Sequence, residues 1–173
     1  MDIQGIREQF PIVKSKVFLN HAATSPLPLC SSEAMKDFVK AKVDAQSTMA
    51  EDLGPWQERI RNCRRLFSQL VGAKEQEVAY VPNTTFGLNL IAQMLPYNPG
   101  SNVVTNNLEY PSNVIAWLKL EERGVEVRFI KNVDGKIGLN QIEEAVDGKT
   151  VALAVGQVGW YNGFRHDLKA ISE

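Results

Sequence analysis

The chain has 173 residues, 44% of them apolar and 23% charged, which is enough material for one domain with a real core. Nineteen basic residues stand against twenty acidic ones, a net charge of -1, and no block of like charge argues for nucleic acid or an anionic membrane. No apolar run approaches the ~20 residues of a membrane span. Residues 1–10 lack the basic start and apolar run of a secretory leader. Cys30 and Cys63 form no CxxC pair and read as intracellular thiols, so a cytoplasmic protein is expected. With His21 and His166 the only histidines, no metal site is expected.

Residues 1–28 read as an N-terminal arm, with a short strand at Val17-Phe18-Leu19, and residues 29–173 as the domain proper. A helix is predicted over 31–43, capped by Ser31 or Ser32 and striped by Met35, Phe38 and Val39. Trp56, Ile60, Cys63, Phe67 and Leu70 recur at helical spacing, with Pro55 suited to a first turn and Gly72 to a stop. A strand over 77–81 is followed by Pro82-Asn83-Thr84-Thr85 and a helix bearing Phe86, Leu90, Ile91 and Met94, which Pro96 ends. Then come a strand at 103–105, a helix over 112–123 closed by Gly124, a strand over 125–130 and a turn at Asp134-Gly135. A short helix over 140–146 leads to a near-continuous apolar strand over 150–155, expected to be buried on both faces. A last helix starts near Asp167. Strands alternating with helices predict an α/β fold: a partial three-layer α/β/α sandwich on a mainly parallel sheet, plus the arm.

Three junctions offer chemistry. A helix opening on Asn83, Thr84 and Thr85 presents unpaired N–H groups, two hydroxyls and an amide, which suits a phosphate; it equally suits plain capping. The Gly-rich loop and Lys-Ser/Thr of a P-loop are missing there, and no GxGxxG supports a dinucleotide fold. Glu109-Tyr110-Pro111-Ser112-Asn113 lies at the carboxyl end of a strand, where ligands gather in open α/β sheets. Tyr110 either stacks on a flat heterocycle or is a loop residue before a Ser112 cap. Residues 155–163 mix glycines, aromatics and amides, and either line a pocket or form an irregular turn.

In order and spacing these segments resemble class V aminotransferases and cysteine desulfurases, fold-type-I enzymes dependent on pyridoxal 5'-phosphate. The resemblance is carried by four segments: 17–28, Asn83-Thr84-Thr85-Phe86-Gly87-Leu88-Asn89, Glu109 to Asn113 with Trp117, and 155–163 followed by Arg165-His166-Asp167-Leu168. It implies that Thr84 and Thr85, with Asn83, hold the cofactor phosphate and that Tyr110 covers the pyridine ring. Desulfurases carry a histidine at that place, and tyrosine is more like the epimerase-type branch near isopenicillin N epimerase. Gly159 or Trp160 stands where many members put an amide that bonds the ring hydroxyl, so Gln157 is the substitute candidate. Asn20, His21 and Ala22 would lie beside the substrate entrance.

The family's pyridine-binding aspartate, Schiff-base lysine and C-terminal domain would follow this segment. Lys131, Lys136 and Lys149 match no lysine motif. The chain is therefore expected to be the N-terminal portion of such an enzyme, to hold no catalytic residue and to be inactive alone. The parent is expected to be a homodimer acting on an amino acid, with the reaction (transfer, desulfuration, epimerisation or lyase) undecided. The rival expectation is a non-catalytic stand-alone fragment that binds a partner chain.

Overall fold

The computed structural model describes residues 2–21, 23–44 and 49–173. These fall into two compact units, Met1–Ala79 and Tyr80–Glu173.

In the first unit, Asp2 caps helix α1 (Ile3–Glu8) by accepting the Gly5 N–H at 2.9 Å. A 3-10 turn follows at Pro11–Lys14. Residues 17–19 form no strand, against expectation. Val17 and Leu19 are exposed, and among the described residues their apolar alternation has no strand to pair with. Helix α2 (Leu29–Asp44) starts two residues earlier than predicted. Gln9 supplies acceptors for its first orphan donors: its carbonyl takes the Leu29 N–H at 2.8 Å and its side chain the Cys30 N–H at 3.1 Å. Ser31 and Ser32 both donate their N–H groups to the Pro28 carbonyl, so they lie in the first turn and do not cap it. Helix α3 (Met49–Val71) carries Pro55 inside it, not at its start. Its end is as predicted, with Gly72 at φ 70°, a conformation that costs glycine little. Phe38 of α2 meets Trp56 of α3 edge to face, centroids 4.7 Å apart. The strand expected over 77–81 is also absent. A 3-10 turn at Glu75–Glu77 commits the backbone there, with the Val78 N–H bonded to the Glu75 carbonyl.

The second unit holds the α/β architecture. Helix α4 (Thr84–Met94) precedes strand β1 (Asn102–Asn106). Helix α5 (Ser112–Leu118) runs into a 3-10 turn, Lys119–Arg123, that stops at Gly124 with φ 77°. Strand β2 (Glu126–Ile130), a tight turn at Asp134-Gly135, helix α6 (Leu139–Ala145), strand β3 (Thr150–Leu153) and helix α7 (Leu168–Ser172) complete it. The sheet is parallel with order β2-β1-β3.

Side chains alternate across the central strand. Val103, fully buried, packs with Ala92, Ala116, Trp117 and Leu120 under α4 and α5. Val104, also fully buried, packs with Ile130, Ile137 and Ile142 under α6. Three layers result, as the period-2 and period-3.6 patterns require. Full burial falls on β1, while β3 is only half-buried. The apolar run over 150–155 led to the opposite expectation. Among the described residues β3 has a neighbour on one side only, so its position outweighs its composition.

A polar network closes the amino edge of the sheet. Buried Asn102 donates to Asp147 at 2.9 Å and accepts from the Thr150 hydroxyl at 2.7 Å. Arg128 bridges Asp147 at 2.8 Å and Glu126 at 2.9 Å. The Arg128 guanidinium, the Asn102 amide and the Lys149 N–H hold the Asp147 carboxyl well below the usual carboxylate range.

Candidate cofactor crevice

The chain leaves β1 through α5 to β2 on one side, then returns through α6 to β3 on the other. Where such connections part, the carboxyl ends of the strands leave a crevice. Here it lies between β1 and β3 and is lined by the loops that follow them.

The loop after β1 is folded tightly. The buried Asn106 side chain accepts the Leu108 N–H at 2.9 Å, and the Tyr110 carbonyl accepts the Asn113 N–H at 2.8 Å as α5 begins. Tyr110 is thereby put outward, 53% exposed. The loop after β3 folds back on itself through an antiparallel bridge between Val158 and Arg165, with Gly159 donating to Phe164 at 2.7 Å. Gln157 is exposed at its mouth, and its carbonyl takes the His166 N–H at 2.8 Å.

Three contacts join the two loops. Glu109 Oε1 accepts the Gly156 N–H at 2.6 Å. The Leu108 carbonyl accepts the Trp160 indole N–H at 3.0 Å. The Tyr110 and Trp160 rings stand nearly perpendicular, centroids 5.3 Å apart. Glu109 also accepts from the Asn106 amide at 3.2 Å and from the Asn113 amide at 3.0 Å. Sequence reasoning missed Glu109, Asn106 and Trp160 as partners. The four-residue step from Glu109 to Asn113 was the one legible sign, because it suits a helix start.

At the start of α4, the Asn83 side chain caps by accepting the Phe86 N–H at 2.9 Å. That bond leaves the N–H groups of Thr84 and Thr85, both exposed, to other acceptors. Helix α4 packs on α5, the helix that starts at the crevice. The structure therefore brings the loops bearing Tyr110 and Gln157 together, with α4 layered on the same face of the sheet as α5. Asn20 and His21 belong to the first unit, where the Asn20 carbonyl accepts the Thr24 N–H at 3.2 Å and His21 meets the Phe18 ring. Ala22 lies outside the described residues. Lys149 sits at the opposite, amino edge of the sheet, where its carbonyl takes the Asn102 N–H. Lys131 follows β2, and Lys136 closes the tight turn after it.

Residues 17–173 match the aminotransferase class-V family. The chain belongs to that family. Its class-V relatives include a probable cysteine desulfurase of Methanothermobacter thermautotrophicus, 31% identical over 99% of this chain and 43% of that protein. In fold, the chain is similar to the cysteine desulfurase CsdA from Escherichia coli, with a TM-score of 0.84 at 22% identity over 99% of this chain and 45% of that one. It is also similar to a C-DES mutant with glycine covalently linked to its PLP cofactor, with a TM-score of 0.86 at 18% identity over 96% of this chain and 44% of that one. The chain thus spans less than half the length of these proteins, and the family match takes in all four motif segments.

Proposed function

We propose that this chain is the cofactor-binding front portion of a pyridoxal-phosphate enzyme that acts on an amino acid. The observation that carries this is the crevice itself: the two loops predicted to touch the cofactor ring are bonded to each other at the carboxyl edge of a parallel sheet. The donor set fits the group. Thr84 and Thr85 offer two backbone N–H groups and two hydroxyls at a helix start, which suits a phosphate dianion. Tyr110 offers an exposed aromatic surface to a planar ring, and Gln157 an exposed amide that can bond the ring hydroxyl.

When bound, pyridoxal phosphate supplies an electron sink for chemistry at the carbon next to the amino nitrogen. This chain's residues hold and orient it. The helix start fixes the phosphate, Tyr110 shields one ring surface from water, and Gln157 sets the rotation of the ring. Asn20, His21 and Ala22 remain the proposed lining of the substrate entrance. The proposal extends to a cytoplasmic homodimer, supported on the dimer side by the exposed α3 stripe of Ile60, Phe67 and Leu70.

Titration of the chain with inorganic phosphate and with pyridoxal phosphate, followed by amide chemical shifts, tests this. Phosphate is expected to shift the amides of 83–87 at millimolar concentration, and Thr85→Val to weaken that response. Each charge-assisted bond contributes about 1.5–3 kcal/mol against water's competition. Pyridoxal phosphate is expected to shift Tyr110 and Gln157 as well. Silence at tens of millimolar of either probe would reduce Asn83-Thr84-Thr85 to a helix cap and sink the reading.

A further inference from the structure

The two residues predicted to meet the cofactor ring, Tyr110 and Gln157, are each one position from the same hydrogen bond. Glu109 precedes Tyr110, Gly156 precedes Gln157, and the Glu109 carboxylate takes the Gly156 N–H at 2.6 Å across a sequence separation of 47 residues. We propose that Glu109 is a positioning residue: its carboxylate sets the loop after β3 against the loop after β1 and so fixes where Tyr110 and Gln157 stand. As a placement of the two cofactor contacts, this rests on the proposed function; as a statement about the two loops, it stands without it.

The carboxylate is suited to this by valence. It accepts from three donors on three pieces of chain. Oε1 takes Gly156 from the β3 loop and the Asn106 amide from the end of β1, and Oε2 takes the Asn113 amide from the first turn of α5. A carboxylate accepts on both oxygens and donates on neither, so it satisfies all three donors at once. The donors are themselves held. Asn106 is 2% exposed and its other side-chain atom accepts the Leu108 N–H, while Asn113 Oδ1 accepts the Trp117 indole N–H at 3.4 Å. Gly156 brings its backbone close: a Cβ there would stand 3.5 Å from Glu109 Oε2, in ordinary van der Waals contact. The second tie, Trp160 to the Leu108 carbonyl, joins the loop four residues further on, and the bond from His166 to the Gln157 carbonyl stays within the β3 loop, so the carboxylate is what ties Gly156 to the loop after β1.

Glu109→Ala and Glu109→Gln in the 173-residue chain separate bridging from packing. Glu109→Gln keeps one acceptor for Gly156. Its new N–H₂ meets the Asn113 amide, which can turn over only by giving up the long 3.4 Å bond from Trp117. The bond to Gly156 therefore survives while the Asn113 arm weakens; Glu109→Ala removes both. Hydrogen exchange at the Gly156 amide reads the bond, and exchange at Val104 in the middle of β1 reads the fold. The expected result is a loss of protection at Gly156 of about tenfold or more in Glu109→Ala and within about threefold in Glu109→Gln, with Val104 unchanged in both. The Tyr110 and Gln157 amide shifts should move in Glu109→Ala and return towards wild type in Glu109→Gln. Three outcomes overturn the proposal: unchanged Gly156 protection in Glu109→Ala, equal losses in the two variants, or a loss at Val104 as large as that at Gly156. Pyridoxal phosphate titrated into the same samples is a separate readout. A wild-type chain that ignores it refutes the cofactor reading, while the exchange rates still decide whether Glu109 positions the loops.

Discussion

Tyr110 meets Trp160 at right angles and still exposes 53% of its surface, so one contact holds the ring while area remains for a flat heterocycle to cover. Aromatic stacking of this kind contributes about 0.5–1.5 kcal/mol beyond buried area. Tyr110→Phe is therefore expected to keep the affinity for pyridoxal phosphate, and Tyr110→Ala to weaken it about two- to tenfold by difference absorbance, the same energy expressed as a ratio. Equal affinity in Tyr110→Ala would make the ring a packing partner of Trp160 alone. Asn83 shows how one residue answers two sequence readings. Its side chain makes the capping bond to Phe86, yet that bond spares the Thr84 and Thr85 donors on which the phosphate proposal rests.

Among the elements, the sheet is tied at both edges by polar side chains, each serving a different end. Glu109 joins loops at the carboxyl edge. At the amino edge Asp147, before β3, joins Asn102 of β1 and Arg128 of β2. Arg128 first, then Asn102 and the Lys149 N–H, depress the Asp147 pKa. A carboxyl depressed on folding adds stability above its unfolded value, about 3.9, and loses it as pH falls through the lower folded value. The urea midpoint of the wild type should therefore exceed that of Asp147→Asn by a margin that is constant from pH 7 to about 5 and shrinks below about pH 4. A margin that grew on acidification would rule out this linkage. The Arg128 guanidinium is raised by the same bonds, Glu126 first and Asp147 next, so it stays charged throughout.

For the whole chain, two features favour association. Ile60, Phe67 and Leu70 lie along α3 with about half or more of their surface exposed. The outer edges of β2 and β3 carry no paired strand among the described residues. Apolar faces and bare edges of this kind recruit partners. Size-exclusion chromatography with light scattering is expected to give dimers or larger species whose proportion rises with concentration. A clean monomer at high concentration with one cooperative thermal transition would show that the exposed stripe needs no cover. Glu→Lys changes on the solvent side of α3 should leave the distribution alone, which separates the stripe from general charge effects.

From α4 onward the sequence by itself determined the order of the elements in the second unit and the type of all but Lys119–Arg123, predicted as the end of a helix and found as a 3-10 turn. Helical spacing, the period-2 alternation of the strands, Gly124 and the Asp134-Gly135 turn are local signals, and local sterics enforce them. Motif order also sufficed to identify the class-V family, because four segments in register outweigh any one of them. What it missed depended on partners distant in the chain. Residues 17–19 and 77–81 have strand-like composition, but a strand exists only when another pairs with it, and none does so among the described residues. Among the described residues full burial falls on β1 and not on Thr150–Leu153, because β1 is the strand flanked on both sides. Only the tertiary structure decided that Glu109 reaches Gly156 and that Trp160 meets Tyr110. A hydrogen bond or a ring contact across some fifty residues leaves no periodic trace in the sequence; it forms where parallel strands bring their carboxyl ends side by side.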